Sequence, residues 1–375
     1  MNILYVTTIG GTMPFFKIFI KELIDKGHTV DLACNNDIYS LPVYFKEWGC
    51  KIYNLSCTRE PFSINNVKAI KEIKSIVSSK KYDIIHCHTP IASICTRLSC
   101  YKTRFEGSKI IYTVHGFHFY KGAPLKNWLL FYPIEWICSW MTDVLITINK
   151  EDFRRAKKSF HARKIEYIPG VGIDTNNYST DLLDFSSIKQ ELDIMDSDIV
   201  LLSVGELNKN KNHETLIYAV SKCKNPHIKY FICGTGELKN YLSNIIKKLG
   251  LESQVQLLGF RTDIAQILKQ TDIFVHPSFR EGLPVSVMEA MTSGVPIVAG
   301  ENRGTRDLIV PDKGGYLVKS DSVRAYKNAI LDLSIDKEKR ERMGNFNVER
   351  IKKFDIAEVN RMINVIYTNA CSKNN

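Results

Sequence analysis

The sequence predicts an α/β fold with two doubly wound domains, each a parallel β-sheet with helices on both faces. Short β-rich runs alternate with amphipathic helical patterns along the whole chain, which is typical of parallel sheets joined by crossover helices. The chain has 375 residues, more than one hydrophobic core usually supports. The alternation also stops once, after Pro169, and then starts again.

The first half of the chain contains the patterns of one complete domain. Its first strand is followed by a turn at Gly10-Gly11 and by a helix whose apolar residues recur at helical spacing until Gly27. The predicted strands lie at 3–7, 29–33, 51–55, 83–87, 109–114, 143–148 and 164–168. Helical patterns separate most of these strands.

The second half repeats this organisation after a break at 169–174 and a polar stretch without apolar period until Ile199. We therefore predict an amino-terminal domain at 1–173 and a carboxy-terminal domain at 174–355, with a last helix at 356–375 that packs back on the first domain. Two such domains are expected to face each other across a ligand cleft at the carboxyl ends of their strands. The second set of strands is predicted at 199–204, 229–233, 254–258, 272–276 and 296–299.

Composition narrows the function classes. A formal net charge of +11 favours anionic partners, but no zinc-finger spacing or RNA-binding aromatic motif is present, so we expect no nucleic-acid partner. The chain has neither an uncharged apolar run of about 18 residues nor the residue order of a signal peptide at its start, which predicts a cytoplasmic protein. The ten cysteines form no C-x-x-C pair or metal-ligand spacing, which predicts reduced, structural thiols.

The strongest local pattern is a strand-to-helix turn, Gly282-Leu283-Pro284, between Glu281 and Glu289. Proline is tolerated in a first helical turn, so a helix is predicted to start just beyond Glu281. The free N–H groups at its start can receive a diphosphate or a sugar hydroxyl, and Gly282 lets a ligand approach the backbone. With Glu289 on this helix, the two carboxylates are expected to reach groups about 10 Å apart, which suits the sugar and the ribose of one nucleotide sugar.

This turn, with the Gly294-Val295-Pro296 that follows, resembles the E-x7-E region of the retaining GT-B glycosyltransferases of family 4. The resemblance covers nearly the whole chain, and its specificity comes from several short motifs in the family's order. These are Ser203-Val204-Gly205-Glu206-Leu207 with Lys211, Gly234-Thr235-Gly236-Glu237, Leu258-Gly259-Phe260, Thr113-Val114-His115-Gly116 and Pro169-Gly170-Val171.

The resemblance implies a bacterial enzyme of capsule or exopolysaccharide synthesis that transfers a sugar from a UDP-sugar to a hydroxyl of a polyprenyl-diphosphate-linked glycan. It implies that Glu281 binds the donor sugar, that Lys211 offsets the charge on the leaving diphosphate, and that His115 faces the reacting sugar. Gly10 and Gly11 resemble the acceptor-side turn. The implied donor-binding residues are Gly205, Glu206, Gly234, Gly236, Phe260, Arg261, Gly282, Leu283, Pro284 and Glu289, the last of these at the ribose.

One position departs from the family pattern. In the family's Gly-Arg-Leu segment, here Gly205-Glu206-Leu207, the usual arginine is replaced by Glu206. This replacement removes one cation from the expected phosphate site. Arg261, Arg280, Lys209 and Arg306 are candidates to compensate for the lost charge.

The resemblance also implies a mechanism and a cofactor requirement. The family places no protein nucleophile at the anomeric carbon, so a front-side displacement is implied, in which the leaving phosphate helps to deprotonate the acceptor hydroxyl. No D-x-D cation motif stands out, and no acidic ligand is spaced to complete a metal site with His86, His88, His115 and His118. We therefore expect neither a metal ion nor another cofactor.

Two stretches bear on membrane association. Trp128, Tyr132, Trp136 and Trp140 recur every four residues, and 150–164 carries seven basic residues against two acidic ones. Such aromatics beside Lys and Arg are typical of a surface that docks on an anionic membrane, which would place the protein on the inner face of the cell membrane. The alternative is that the aromatics belong to the helix core and the basic run to a solvated face.

Other functions compete with sugar transfer. A UDP-sugar 2-epimerase shares the two-domain architecture, and the replacement at Glu206 is also consistent with a nucleotide-sugar-binding scaffold of impaired activity. A dehydrogenase is disfavoured, because Thr7-Thr8-Ile9-Gly10-Gly11-Thr12 lacks the G-x-G-x-x-G that seats a dinucleotide.

Overall fold

The computed structural model of the chain describes residues 1–175 and 186–372. Its contacts divide the chain into two compact units, one made of Met1–Val171 with the chain from Ala357 onward, the other of Gly172–Ile356. Each unit contains one parallel β-sheet with helices between its strands. The predicted class, an α/β protein with two Rossmann-like domains, is confirmed.

The first unit contains a seven-stranded sheet in the order β3-β2-β1-β4-β5-β6-β7. Ile3 of β1 pairs with Val30 on one side and with Ile84 on the other, so the direction of winding reverses between β1 and β4. Ligands of open α/β sheets bind at the carboxyl edge of such a switch point. The strands are β1 (Asn2–Ile9), β2 (Thr29–Asn35), β3 (Ile52–Asn54), β4 (Ile84–His88), β5 (Lys109–Val114), β6 (Val144–Thr147) and β7 (Lys164–Tyr167).

Seven α-helices accompany this sheet. Ser63 caps α3 by accepting the Asn65 N–H, and Asn149 caps α6 by accepting the Asp152 N–H, as short polar residues do at helix starts. The helices are α1 (Lys17–Asp25), α2 (Tyr44–Glu47), α3 (Ile64–Ser79), α4 (Pro90–Cys100), α5 (Leu125–Ser139), α6 (Lys150–Ser159) and α15 (Ile356–Cys371).

The second unit repeats the design with a six-stranded sheet in the order β10-β9-β8-β11-β12-β13. Its switch point lies between β8 and β11, which pair directly. The strands are β8 (Ile199–Val204), β9 (Ile228–Cys233), β10 (Val255–Gly259), β11 (Ile273–His276), β12 (Ile297–Gly300) and β13 (Gly315–Val318). The helices are α7 (Ser186–Glu191), α8 (His213–Cys223), α9 (Lys239–Lys248), α10 (Ile264–Lys269), α11 (Val285–Thr292), α12 (Arg303–Leu308), α13 (Val323–Ile335) and α14 (Lys337–Ile351).

The cysteines lie in or beside these cores. All ten are free thiols, and all except Cys371 are buried. Burial raises the pKa of the Cys34 thiol to about 12, because the thiolate would lose its hydration. These side chains pack as small apolar groups.

Three local predictions were wrong. A tight turn was expected at Gly10-Gly11, but Gly10–Phe16 forms a 3-10 helix. The polar stretch before Ile199 contains α7, while its residues 176–185 lie outside the described part of the chain. Strand β13 was missed because its start at Gly315 looks like a turn; a Cβ there would lie 1.9 Å from the Ile297 carbonyl oxygen, so only glycine lets β13 approach β12.

The last helix, α15, packs on the first unit through buried polar contacts. The Tyr367 hydroxyl lies 2.6 Å from His86 Nδ1 and donates to the Tyr5 hydroxyl at 3.0 Å. Asn360 and Asn364 both donate to the Glu22 carboxylate, at 2.8 and 2.9 Å. The end of the predicted 356–375 helix, residues 373–375, lies outside the described residues.

Tyr367→Phe tests this packing. The substitution removes one hydroxyl and leaves polar atoms of His86 and Tyr5 without a buried partner. We expect the free energy of unfolding to fall by about 1–3 kcal/mol, measured by urea denaturation. Tyr101→Phe is the matched control, because Tyr101 is 41% exposed and should change stability little; equal effects of the two substitutions would contradict the assignment.

Candidate functional site

Two loops meet at the carboxyl edge of the second sheet, one after β8 and one after β11. The Asn210 side chain donates to the Arg280 carbonyl at 3.0 Å, and the Phe279 N–H donates back to the Asn210 carbonyl at 2.9 Å. The Asn212 side chain donates to the Pro277 carbonyl at 3.3 Å. These asparagines tie the two loops together at the switch point of the sheet.

Lys211 and Glu281 project from these loops and form an ion pair. Lys211 Nζ donates to Glu281 Oε1 at 2.7 Å, and the two side chains are only 21% and 13% exposed. His276, the last residue of β11, lies with Nε2 3.2 Å from the same carboxylate oxygen. The structure therefore brings together two of the predicted residues and adds a third, His276, which was noted only as the end of a strand.

The charges at this site follow from its burial. Burial alone would raise the pKa of Glu281, but the hydrogen bond with His276 and the charge of Lys211 outweigh it and hold that pKa well below its usual range. Burial lowers the pKa of His276, with Glu281 opposing that shift. At neutral pH Glu281 is consequently a carboxylate and His276 a neutral imidazole.

Arg303 lies behind Glu281 and was missed from the sequence. It is 5% exposed, and its Nε donates to the Glu281 carbonyl at 3.1 Å. It is the first residue of α12, whose start is fixed by a capping box between Asn302 and Thr305. The capping residues could have been recognised in the sequence, but their position beside Glu281 depends on the sheet.

The glycines of this edge allow loops to touch. A Cβ at Gly234 would lie 1.9 Å from the Gly205 carbonyl oxygen, and one at Gly236 would lie 2.5 Å from the Leu207 carbonyl oxygen. A Cβ at Gly205 would lie 3.1 Å from Cδ of Lys211. The Gly-x-Gly turn thus packs the β9 loop against the β8 loop that carries Lys211. These glycines are needed for packing within the protein, whether or not a ligand is bound.

The turn after Glu281 differs in detail from the prediction. Pro284 is the N-cap of α11, one residue before its first turn, and the helix begins at Val285. Leu283 and Pro284 are buried, whereas Gly282 and Glu289 are partly exposed. A Cβ at Gly304 would lie 2.8 Å from the Gly282 carbonyl oxygen, so this turn is held by close contact with α12.

The candidates to replace the positive charge lost at Glu206 differ in whether a carboxylate already binds them. Glu206 is exposed and accepts a hydrogen bond from Asn208 at 3.0 Å. Arg261 is held by two carboxylates, Glu191 at 3.0 Å and Asp263 at 2.8 Å. Its guanidinium is therefore already neutralised.

Three further candidates and one predicted aromatic remain. Arg306 lies 3.6 Å from the Glu301 carboxylate. Lys209 and Arg280 have no side-chain hydrogen bond or ion pair within 1–175 and 186–372, which makes them better placed to receive a phosphate. Phe260 is 77% exposed at the end of β10, so its ring is accessible to a base.

His115 lies in the first unit, directly after β5, in a cluster of three histidines. Its Nε2 is 3.1 Å from His88 Nδ1, and the His88 ring lies 4.1 Å from that of His86. The other nitrogen of His86, Nε2, is 2.8 Å from the Thr113 hydroxyl. Burial lowers the pKa of His115 to about 4 and that of His86 to about 3, so these imidazoles are neutral at pH 7.

Gly10 and Gly11 contact the loop after β2. A Cβ at Gly10 would lie 2.1 Å from the Tyr39 carbonyl oxygen, and one at Gly11 would lie 3.3 Å from the Tyr39 ring. Glycine at position 10 is therefore required by packing within the first unit.

The letters D-x-D occur at Asp196-Ser197-Asp198. This segment precedes β8, so it lies at the amino edge of the sheet, away from Lys211. Asp196 pairs with Lys189, and Asp198 accepts the Met195 N–H at 2.9 Å. The expected metal independence stays a prediction.

Of the four aromatic residues at and near α5, two belong to the core and two are exposed as a membrane-docking surface requires. Trp128 and Tyr132 pack against the core, with Tyr132 5.3 Å from the Phe119 ring. Trp136 and Trp140 are 39% and 58% exposed. In the described parts of the chain, no helix combines the length and the apolar character needed to cross a membrane.

The chain matches known families and proteins over most of its length. The family described as Glycosyl transferase 4-like matches residues 2–149, and the family described as Glycosyl transferases group 1 matches residues 184–350. A Bacillus subtilis protein named as the glycosyltransferase EpsD is 34% identical over 325 residues, covering 86% of this chain and 83% of that protein.

Two further comparisons concern a named enzyme and a solved structure. An Escherichia coli UDP-Gal:α-D-GlcNAc-diphosphoundecaprenol α-1,3-galactosyltransferase is 29% identical over 291 residues, which cover 74% of each chain. The crystal structure of Anabaena HepE in complex with UDP-glucose has a TM-score of 0.82 at 19% identity and covers 98% of this chain and 100% of that one. The GT-B fold class is confirmed.

Lys211→Met tests the ion pair. It leaves the Glu281 carboxylate without its cation, and we expect the free energy of unfolding to fall by about 1–3 kcal/mol near pH 7. The folded pKa of Glu281 is lowered, so the pair stabilises the fold above the carboxyl's usual pKa of about 4.3 and loses this effect as pH falls below it. The difference from wild type should therefore be smaller in urea titrations at about pH 3 than at pH 7.

Lys209→Met is the matched control, because Lys209 is an exposed lysine of the same loop. It should leave stability within about 0.5 kcal/mol of wild type at both pH values. A Lys211 effect that does not exceed that of Lys209, or that does not change with pH, would contradict the assignment.

Proposed function

This chain belongs to the glycosyltransferases that combine a glycosyl transferase 4-like domain with a group 1 domain, and we propose that it is a retaining enzyme acting on a UDP-sugar. Its acceptor is a hydroxyl of a polyprenyl-diphosphate-linked glycan, in the synthesis of a bacterial surface polysaccharide such as a capsule or exopolysaccharide. It transfers the sugar without a metal ion or another cofactor.

The observation that carries this proposal is the Lys211–Glu281 pair at the switch point of the second sheet. Open α/β sheets bind their ligands at this edge, and a cation beside a carboxylate meets the two needs of a nucleotide sugar. Lys211 receives the diphosphate, and Glu281 accepts hydrogen bonds from sugar hydroxyls. The lowered pKa of Glu281 keeps this carboxylate ionised, which suits a hydrogen-bond acceptor and not a general acid.

Apart from that of His276, the remaining roles in this proposal are those that the family resemblance implies for the matching positions. His276 holds the Glu281 carboxylate at 3.2 Å, and Glu289 on α11 binds the ribose. His115, neutral because its pKa is about 4, offers a hydrogen bond to the transferred sugar. Gly10 and Gly11 lie on the acceptor side.

The reaction we propose is a front-side displacement. The bond between the anomeric carbon and the diphosphate oxygen breaks, and the acceptor oxygen bonds to the same face of that carbon. The proton of the acceptor hydroxyl passes to the leaving diphosphate. Lys211 stabilises the negative charge that develops on this leaving group, and Lys209 or Arg280 takes the place of the cation lost at Glu206.

The names of relatives support the donor and acceptor classes. The Escherichia coli relative is named for a UDP-galactose donor and a diphosphoundecaprenol-linked acceptor. A Campylobacter jejuni relative, 32% identical over 182 residues, is named for a diphospho-undecaprenol-linked acceptor as well. We include the same donor and acceptor classes in the proposal for the present chain.

A donor screen tests this function. Wild-type protein is incubated with UDP-sugars and a prenyl-diphosphate-linked sugar, and UDP release and the anomeric configuration of the product are measured. We expect transfer with retention, unchanged in EDTA, and a loss of about 100-fold or more in kcat/KM for Glu281→Ala and Lys211→Ala. Lys313→Ala, an exposed lysine of the same unit, should retain wild-type activity.

Each competing function gives a different result in this screen. Epimerised UDP-sugar without transfer would identify a 2-epimerase, and nucleotide binding without turnover would identify a scaffold. An inverted product, or full activity in both site variants, would contradict the proposed mechanism.

We also propose that an aromatic patch docks the first unit on an anionic membrane. The patch comprises Leu98, Tyr101, Phe105, Trp136, Ile137 and Trp140, which are 39–84% exposed. Arg104 donates to the Trp140 carbonyl at 2.8 Å, which places the Thr103–Glu106 turn beside the end of α5. The exposed Lys102 lies with its Nζ 5.9 Å from the Tyr101 ring, and exposed aromatic rings next to basic side chains are suited to the lipid headgroup region.

The double variant Phe105→Ser/Trp140→Ser tests the patch by co-sedimentation with phosphatidylglycerol-rich vesicles at low salt. Loss of two apolar anchors should lower the bound fraction about tenfold or more. Ile335→Ser is the control, because Ile335 is 86% exposed in the second unit. Negligible binding of the wild type, or equal binding of all variants, would contradict docking.

A further inference from the structure

A second pocket lies in the first unit, at the switch point of its own sheet. It has a volume of about 250 Å³ and is lined by Thr8 of β1, by Thr89 just after β4, and by Arg59 and His118 from neighbouring loops. The position is the carboxyl edge where β1 and β4 meet, which is the usual ligand position in such sheets. Gly10 and Gly11, assigned to the acceptor side, lie in the chain between Ile9 and Thr12 of this lining.

Arg59 is the one Lys or Arg side chain in the described lining of the pocket. Arg59 is exposed and has no hydrogen bond or ion pair among the residues that the structure describes. The described lining contains no Asp or Glu side chain. A guanidinium without a carboxylate partner favours an anion with several oxygen atoms, because it donates in a planar fork.

Thr89 has a strained backbone at the pocket wall. Its φ is +65° and its ψ is 144°, which is rare for a β-branched residue. The Thr89 hydroxyl accepts the Thr8 N–H at 3.1 Å and lies 2.7 Å from the Thr8 hydroxyl. The ends of β1 and β4 are thus tied together in a conformation that is disfavoured for the isolated residue, as at many binding sites.

The size and the rim of the pocket limit its ligand. A volume of 250 Å³ is below the about 300–1,000 Å³ of pockets for drug-sized molecules, so it suits one small polar group. Pro61 lines the pocket, and Phe62 and Ile64 follow it in the chain with exposures of 81% and 82%. Phe131 of α5 and Ile91 of α4 line it as well. Apolar side chains therefore contribute to the rim of the pocket.

We propose that this pocket binds the diphosphate of a prenyl-linked acceptor, with Arg59 as the cation and the apolar rim in contact with the first isoprene units. This inference deepens the proposed function and rests on it for the identity of the acceptor. Arg59 would then hold the lipid-linked substrate by its diphosphate, at a site separate from Lys211, which serves the donor diphosphate.

The test is calorimetric titration with farnesyl diphosphate in the presence of excess UDP. Arg59→Gln should weaken the affinity about tenfold or more, the effect of losing a charge-assisted hydrogen bond. Arg342→Gln, which removes the same charge from an exposed position on α14, should bind like wild type. Lys211→Ala should also bind like wild type, which separates this pocket from the donor site. Farnesol, which lacks the diphosphate, should not distinguish Arg59→Gln from wild type.

The outcomes separate this inference from the proposed function. Equal affinity of Arg59→Gln and wild type, or no binding by wild type, would overturn the inference even if sugar transfer is observed. Stronger Arg59-dependent binding of dihexanoyl-phosphatidylglycerol than of farnesyl diphosphate would overturn it too, by identifying a bilayer lipid as the ligand. Absence of transfer from every UDP-sugar would overturn the proposed function, whereas Arg59-dependent diphosphate binding would still support the pocket.

Discussion

The ion pair between Lys211 and Glu281 is the interaction on which the candidate site depends. It joins two loops that leave β8 and β11, the neighbouring strands at the switch point of the second sheet. Desolvating two charges is costly, and their mutual attraction offsets this cost only when the geometry is good. The 2.7 Å contact and the second hydrogen bond near 3.2 Å from His276 provide that geometry. A ligand with both hydroxyls and phosphates can use each partner of the pair.

Backbone packing keeps this pair in place. Asn210 and Asn212 tie the β8 loop to neighbouring carbonyl groups, and Gly234 and Gly236 let the β9 loop touch the β8 loop where any side chain would clash. The site is thereby built before a ligand arrives, which reduces the ordering that binding must accomplish. Glycines that resemble a ligand-binding motif thus also satisfy a packing requirement.

The first unit is organised by a different kind of interaction. His115 is linked to His88, and His86 is linked to Tyr367 of the last helix, so α15 completes the core behind the carboxyl edge of the first sheet. Neutral, buried imidazoles tolerate this environment because their pKa values are lowered by desolvation. The same edge carries the pocket that contains Arg59, Thr8 and Thr89.

The sequence by itself determined the two-domain α/β architecture and most strands, because these follow from local periodicity. Its motifs singled out Lys211 and Glu281 separately, through the family resemblance, and did not indicate that the two side chains form an ion pair. Only the tertiary structure decided that His276 and Arg303 contact Glu281, that Arg261 is neutralised by two carboxylates, and that Arg59 shares a pocket with Thr8 and Thr89. These residues lie far apart in the chain or carry no distinctive spacing. Their contacts depend on the strand order of a parallel sheet, which brings loops from different crossovers to one edge. Strand order cannot be read from a local sequence pattern.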